Sequence, residues 1–131
     1  KLFWECHNPT QGNRQGNDSG SQYRSAIYTN TTEQEDLALS SLDCYQKDLN
    51  NKGFGTITTE IKENQIFYFA ENYHQQYLAR PGSRPYCSAM PTKVPLTGFK
   101  GANFKLNKDV WSHFNWEINH CVLRSDNDPI K

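Results

Sequence analysis

The chain has 131 residues, with 14 lysines and arginines against 14 acids, so its overall charge offers no general attraction to nucleic acid or to an anionic membrane. One domain is the expected organisation, able to bury roughly two thirds of the surface that the unfolded chain exposes. Hydrophobic content is only 35%, yet 7 Phe, 7 Tyr and 3 Trp can build a core or a pocket from few residues, and no apolar run approaches the roughly 20 residues that span a bilayer; a soluble chain is expected.

The sequence opens at Lys1, and Leu2-Phe3-Trp4 enters in mid-pattern with no polar lead-in or helix cap, which predicts a missing amino-terminal part. Residues 13–22 are mostly turn formers and run directly into Tyr23-Arg24-Ser25-Ala26-Ile27-Tyr28, which reads as a strand entering a core. Thr32-Glu33-Gln34-Glu35 then has the form of a capping box, and Ala38, Leu42, Tyr45 and Leu49 repeat at the spacing of one helical face. Asn50-Asn51-Lys52-Gly53 supplies the stop, so a helix is predicted over 32–51. Residues 55–61 are rich in β-branched side chains and predict a strand, residues 62–65 a turn, and residues 66–70 (Ile-Phe-Tyr-Phe-Ala) a second strand.

This order of strand, helix, strand, strand implies an α/β or α+β domain with helices packed on a sheet. After Leu78, Pro81, Pro85, Pro91 and Pro95 break regular structure, and the tail is expected to run over the surface. Val110, Phe114, Ile118, Cys121 and Val122 lie near helical spacing within residues 109–123, although Asn115 and Asn119 work against a helix there.

The four cysteines, Cys6, Cys44, Cys87 and Cys121, form no CxxC pair and are too sparse for a disulfide scaffold, which leaves redox chemistry open. His7, His74, Cys87, His113, His120 and Cys121 lack the ligand spacing of a zinc site, so no metal is expected. Cys44 sits beside the helical face of Leu42 and Tyr45 and is expected to be a small buried thiol. Cys6 adjoins His7, but neighbours in a helix point in different directions, so no catalytic role is assigned to the pair. Asn17-Asp18-Ser19 and Asn30-Thr31-Thr32 fit the glycosylation acceptor pattern, which is short enough to arise by chance.

Four blocks carry a more specific signal. Phe3-Trp4-Glu5-Cys6-His7-Asn8-Pro9-Thr10, the run from Arg14 through Gly16-Asn17-Asp18-Ser19-Gly20 to Tyr28, Ala70-Glu71-Asn72-Tyr73-His74-Gln75-Gln76-Tyr77-Leu78, and Tyr86-Cys87 occur in this order. Together they resemble the carboxy-terminal part of the A-type peptide methionine sulfoxide reductases. One departure is Cys6-His7-Asn8, where that family usually has an Asn-His-Asp-like sequence. A larger one is that the family's Gly-Cys-Phe-Trp nucleophile motif does not occur in these 131 residues. Phe3-Trp4 belongs instead to the His-x-Pro-Thr block.

The resemblance implies an α+β fold, a two-layer α/β sandwich with a ferredoxin-like core, incomplete at its amino terminus. Residues 1–88 would belong to the reductase domain, and residues 89–131 would form an extended tail of the same domain. It implies thiol-dependent reduction of the S epimer of methionine sulfoxide, free or peptide-bound, to methionine. In that chemistry a thiolate attacks the sulfoxide sulfur, an acid protonates the oxygen, and a second cysteine resolves the sulfenic acid. Thioredoxin is the implied external reductant, with no bound cofactor, a monomeric state, and a cytoplasmic or organellar setting.

By the same resemblance Tyr23 would donate its hydroxyl to the sulfoxide oxygen and wall the pocket, while Asp18 and His74 would hold the backbone of the substrate methionine. Cys87 would be the resolving thiol, and Cys121 the one that passes the disulfide outward. Taken singly, Asp18 reads as an Asx-turn residue, Tyr23 as a half-buried strand tyrosine, His74 as a surface or satisfied core histidine, and Cys121 as a buried apolar residue. Arg14, Arg24 and Glu71 can each be a functional contact or a member of an internal salt bridge, and the structural role is the expected one. The competing reading of the whole chain is a non-catalytic module that recognises oxidised methionine, because the pocket residues are present and the nucleophile motif is not.

Overall fold

The computed structural model describes residues 1–84 and 87–101. A helical turn, α1 (Leu2–Glu5), is followed by two very short strands, β1 (Arg14–Gln15) and β2 (Asp18–Ser19), and a 3-10 turn at Ser21–Tyr23. Strand β3 (Ala26–Thr29), the long helix α2 (Thr32–Asn51), strand β4 (Glu60–Glu63) and a 3-10 turn at Tyr77–Ala79 complete the order. β1 and β2 form an antiparallel hairpin with Arg14 opposite Ser19. β3 and β4 pair in parallel, Ala26 opposite Glu60 and Thr29 opposite Glu63. Parallel neighbours need a crossover, and α2 provides it, giving a strand-helix-strand unit in an α+β fold.

Helix α2 has the predicted bounds, and its ends explain why. Thr31 is the N-cap, its hydroxyl accepting from the Gln34 N–H, one position earlier than the capping box read from the sequence. Gln34 reciprocates by accepting from the Asn30 N–H at 2.8 Å. At the far end Gly53 takes φ +77°, the left-handed conformation that glycine enters without steric cost. Its N–H reaches the Asn50 carbonyl and that of Phe54 reaches Leu49, the paired bonds of a Schellman motif. Phe54 folds back against the cluster that holds Leu49, the apolar contact that accompanies such an ending.

The core is built from α1, α2 and two segments outside regular structure. Trp4, Tyr45, Leu49, Ile57, Val94 and Leu96 are buried together, with Phe3, Ile27, Leu42, Cys44, Phe54 and Phe99 packed around them. Trp4 donates its indole N–H to Ser41 at 2.8 Å, and Ser41 donates onward to the Ala38 carbonyl at 2.8 Å. Ser41 therefore belongs to the buried face of α2, a position that apolar spacing alone does not mark.

Leu2–Glu5 forms a helical turn without a side-chain cap, and Trp4 within it is buried. Four sequence expectations differ from the structure. The strand expected over 23–28 begins only at Ala26, since Ser21–Tyr23 turns first. The strand expected over 55–61 is displaced to Glu60–Glu63, taking in half of the predicted turn. The reason lies in the preceding backbone: Ile57 N–H donates to the Gln46 side chain at 2.7 Å and Thr58 N–H to the Pro9 carbonyl at 2.8 Å, so these residues are bonded outside the ladder. Asn64, at φ +54°, then ends β4. Residues 66–70 lie outside any ladder, with Phe67 77% and Phe69 85% exposed.

The tail is the fourth difference. Val94 and Leu96 are buried in the core rather than laid over the surface. Tyr45 donates its hydroxyl to the Val94 carbonyl at 3.0 Å and takes a hydrogen bond from Thr92 at 2.9 Å. The Leu96 N–H meets the buried Glu5 carboxylate at 2.6 Å, and Thr97 binds both oxygens of Asp48. Proline only denied this segment a ladder; its alternate apolar side chains still had a cavity to fill. The helix expected within 109–123 lies outside the described residues.

Candidate functional site

The hairpin β1–β2 and the 3-10 turn after it present the residues singled out by sequence. Gly16 at φ +60° and Gly20 at φ +137° turn the backbone on either side of Asp18. A Cβ on Gly16 would also come within 2.8 Å of the Met90 sulfur, so this glycine serves both the turn and the approach of the tail. Gln15 locks the arrangement: its Nε2 donates to the Asn8 carbonyl at 2.9 Å, and its Oε1 accepts from the N–H groups of Asn8 and Met90, both at 3.1 Å.

Asp18 is half-buried, and its side chain does not close an Asx turn. Its Oδ2 instead accepts from the Ser88 hydroxyl at 3.0 Å, across 70 positions of sequence. Ser88 in turn accepts from Arg84 Nη2 at 3.2 Å, so a guanidinium, a hydroxyl and a carboxylate stand in series. Ser88 follows Cys87, which is half-buried and disulfide-bonded. Cys6 and Cys44 are free thiols, so neither is its partner. Cys121 lies outside the described residues.

Tyr23 closes the 3-10 turn and is 41% exposed, which leaves its hydroxyl accessible. His74 lies on an exposed turn, where its backbone N–H donates to the Glu71 carbonyl at 2.8 Å and its ring lies 4.6 Å from that of Tyr73. Among the described residues no hydrogen bond joins it to Asp18 or Tyr23. The structure thus brings Asp18 together with the Cys87 segment, places Tyr23 five residues beyond Asp18, and sets His74 on a separate turn. Ser88, Gln15 and Met90 are the site neighbours that sequence reading missed; adjacency to Cys87 was the one available hint for Ser88.

Beside this loop lies a half-buried polar chain. His7 Nδ1 donates to the Phe3 carbonyl at 2.7 Å, which leaves Nε2 to accept from Ser25 at 2.7 Å, and Ser25 then accepts from Thr59 at 2.8 Å. Burial lowers the His7 pKa below its ordinary value, with the bond to Phe3 opposing weakly. Burial likewise raises the pKa of Cys6, which disfavours its thiolate. Asn8 explains one departure from the family pattern: its Oδ1 accepts from both the N–H and the hydroxyl of Thr10, at 3.0 and 2.7 Å, the acceptor role a carboxylate would fill.

On the outer face of the parallel pair, Tyr28 donates to Glu60 at 2.7 Å, Lys62 Nζ lies 2.8 Å from the other oxygen, and Arg24 lies 3.6 Å from the first. The hydrogen bonds from Lys62 and Tyr28, with the charges of Lys62 and Arg24, hold the Glu60 pKa down at about 2. Arg24 also bonds the Ser21 carbonyl, whereas Arg14 bonds the Gly16 carbonyl rather than a carboxylate. Among the described residues no group of three or more His, Cys, Asp or Glu is arranged to hold a metal ion, and no helix is long and apolar enough to cross a membrane.

The turn that carries Asp18 thus meets, through Ser88, the segment of a disulfide-bonded cysteine. The chain belongs to the peptide methionine sulfoxide reductase family, whose model matches residues 1–103. It is 57% identical over 94 residues to the human mitochondrial peptide methionine sulfoxide reductase, covering 72% of this chain and 40% of that protein. It is 58% identical over 97 residues to peptide methionine sulfoxide reductase MsrA of Ectopseudomonas mendocina, covering 73% and 43%. Over 94 residues it is 55% identical to MsrA 1 of Synechocystis, covering 72% and 42%. The chain therefore spans only 40–43% of the length of these relatives.

Proposed function

We propose that these residues form the substrate-holding and thiol-recycling part of an enzyme that reduces the S epimer of methionine sulfoxide, free or in peptides, to methionine. The attacking thiolate comes from a Gly-Cys-Phe-Trp motif that these 131 residues do not contain. Its attack on the sulfoxide sulfur, with protonation of the oxygen, yields methionine and a sulfenic acid; Cys87 then condenses with that acid, releasing water and forming a disulfide. Cys121 exchanges with this disulfide and presents it to thioredoxin, which supplies two electrons and two protons. Tyr23 donates a hydrogen bond to the sulfoxide oxygen and offers its ring to the substrate methyl group. Asp18 accepts from the substrate backbone, and His74 supports that backbone from the other side.

The observation that carries this reading is the disulfide-bonded Cys87 one residue from the side chain that contacts Asp18. A nuclear magnetic resonance titration of the 131-residue chain with the separate epimers of N-acetyl-methionine sulfoxide N-methylamide tests it. The S epimer is expected to move the signals of Asp18, Tyr23 and His74, and the R epimer to leave them in place. An equal response to both epimers, or none to either, would overturn the assignment.

A further inference from the structure

The Ser88 hydroxyl joins the Cys87 segment to the proposed substrate loop by a side-chain hydrogen bond to Asp18, at 3.0 Å. Both residues are half-buried, and the Ser88 hydroxyl is polarised by Arg84 at 3.2 Å, which makes it a better donor to the carboxylate. Ser88 is held from both directions along the chain. On one side is the disulfide of Cys87; on the other is Met90, whose N–H is bound to Gln15 at 3.1 Å and whose side chain lies against Gly16. Reduction removes the first of these anchors and leaves the second.

We propose that Ser88 belongs to the substrate site as the residue that occupies Asp18 while Cys87 is in its disulfide, so that disulfide formation displaces the backbone of the bound methionine and reduction returns the carboxylate to the next substrate. The proposal rests on the reading of Asp18 as the acceptor for substrate backbone. The redox step balances: a dithiol gives two electrons and two protons to the disulfide, leaving Cys87 and its partner as thiols and the dithiol as its own disulfide. Ser88 and the substrate N–H compete for one acceptor, so the effect has the scale of a single exchanged hydrogen bond.

The experiment uses the 131-residue chain, wild type and Ser88→Ala, each with the disulfide intact and after treatment with dithiothreitol. The amide signal of Asp18 is followed first, without ligand. It is expected to move on reduction in the wild type and to stay still in Ser88→Ala. Affinity for the S epimer of N-acetyl-methionine sulfoxide N-methylamide is measured next. Reduction should tighten binding about threefold to tenfold in the wild type. Ser88→Ala should bind equally in both states, while Ser88→Thr, which keeps the hydroxyl, should retain the redox dependence. An Asp18 signal indifferent to reduction, or redox-dependent affinity that persists in Ser88→Ala, would overturn the proposal. Asp18→Asn separates it from the reading beneath it: unchanged affinity in that variant, with the Asp18 signal still following the disulfide in the wild type, would show that the contact is real and that the substrate assignment is at fault.

Discussion

Glu5 and Leu96, 91 positions apart, meet inside the core, where the glutamate carboxylate accepts the leucine N–H at 2.6 Å. Lys1 lies 3.8 Å from the same oxygen but is largely exposed, so the backbone bond is the buried partner and the lysine the solvated one. Glu5→Ala leaves the Leu96 N–H buried without an acceptor and should cost about 1–3 kcal/mol. Glu5→Gln keeps an acceptor and should cost less. Urea denaturation of the two variants checks the order, and equal losses would assign the effect to charge rather than to the hydrogen bond.

Gly16 and Met90 form a second tie between loop and tail. Gly16→Ala should destabilise by about 1–2 kcal/mol, because a side chain at φ +60° is strained and its Cβ also meets the Met90 sulfur. Met90→Ala in the same chain should recover only the steric share, leaving the backbone strain. A double-mutant cycle measures the split; complete recovery would show that backbone strain contributes nothing.

Thr29, at the end of β3, is buried, and its hydroxyl has no hydrogen-bond partner among the described residues. Thr29→Val replaces that hydroxyl with a methyl group of similar volume and should stabilise the fold by about 1 kcal/mol. A lower melting temperature for the valine variant would mean that the hydroxyl has a partner after all.

His7 is held neutral by burial, so its pKa in the fold lies below the unfolded value near 6.5. Above that unfolded value neither state is charged and the full stability is present. As pH falls below it the unfolded chain takes up a proton first, and stability declines until the folded histidine titrates as well. The urea midpoint should therefore drop between pH 7.5 and 5.5 in the wild type, and drop less in His7→Gln. Parallel curves for the two proteins would remove His7 as the source.

In an enzyme that carries these residues together with the nucleophile motif, Tyr23→Phe should lower turnover and Asp18→Ala should weaken substrate capture. Each removes about 1–3 kcal/mol, or one to two powers of ten. Cys87→Ser should permit a single round of reduction and block recycling, whereas Cys121→Ser should slow only the thioredoxin-dependent step. Single-turnover and steady-state kinetics separate these outcomes, and wild-type values for Tyr23→Phe and Asp18→Ala would refute the roles given to them.

Helix α2 was legible because its information is local: cap, apolar stripe and glycine stop all lie within about twenty residues of one another. The bounds of β4 were less legible, since β-branched residues 56–59 looked like strand while the N–H groups of Ile57 and Thr58 were claimed by Gln46 and Pro9. Residues 66–70 carried strong strand propensity, yet propensity cannot supply a ladder partner. Asp18, Tyr23, His74 and Cys87 are singled out by the four blocks and not by any spacing of their own. Ser88 was invisible because a serine after a cysteine carries no signal until the chain returns 70 positions to meet Asp18.

The insertion of Val94 and Leu96 beside Trp4 also sets the order in which this core can be completed during synthesis. A ribosome adding about 5–20 residues per second separates Glu5 from Leu96 by roughly 5 to 20 seconds. Within that interval the strand-helix-strand unit can assemble once Glu63 has been added, but Trp4 and Tyr45 face an open cleft in the nascent chain until Val94 and Leu96 arrive. Residues 92–97 thus mark the point at which Val94 and Leu96 can cover Trp4 and Tyr45.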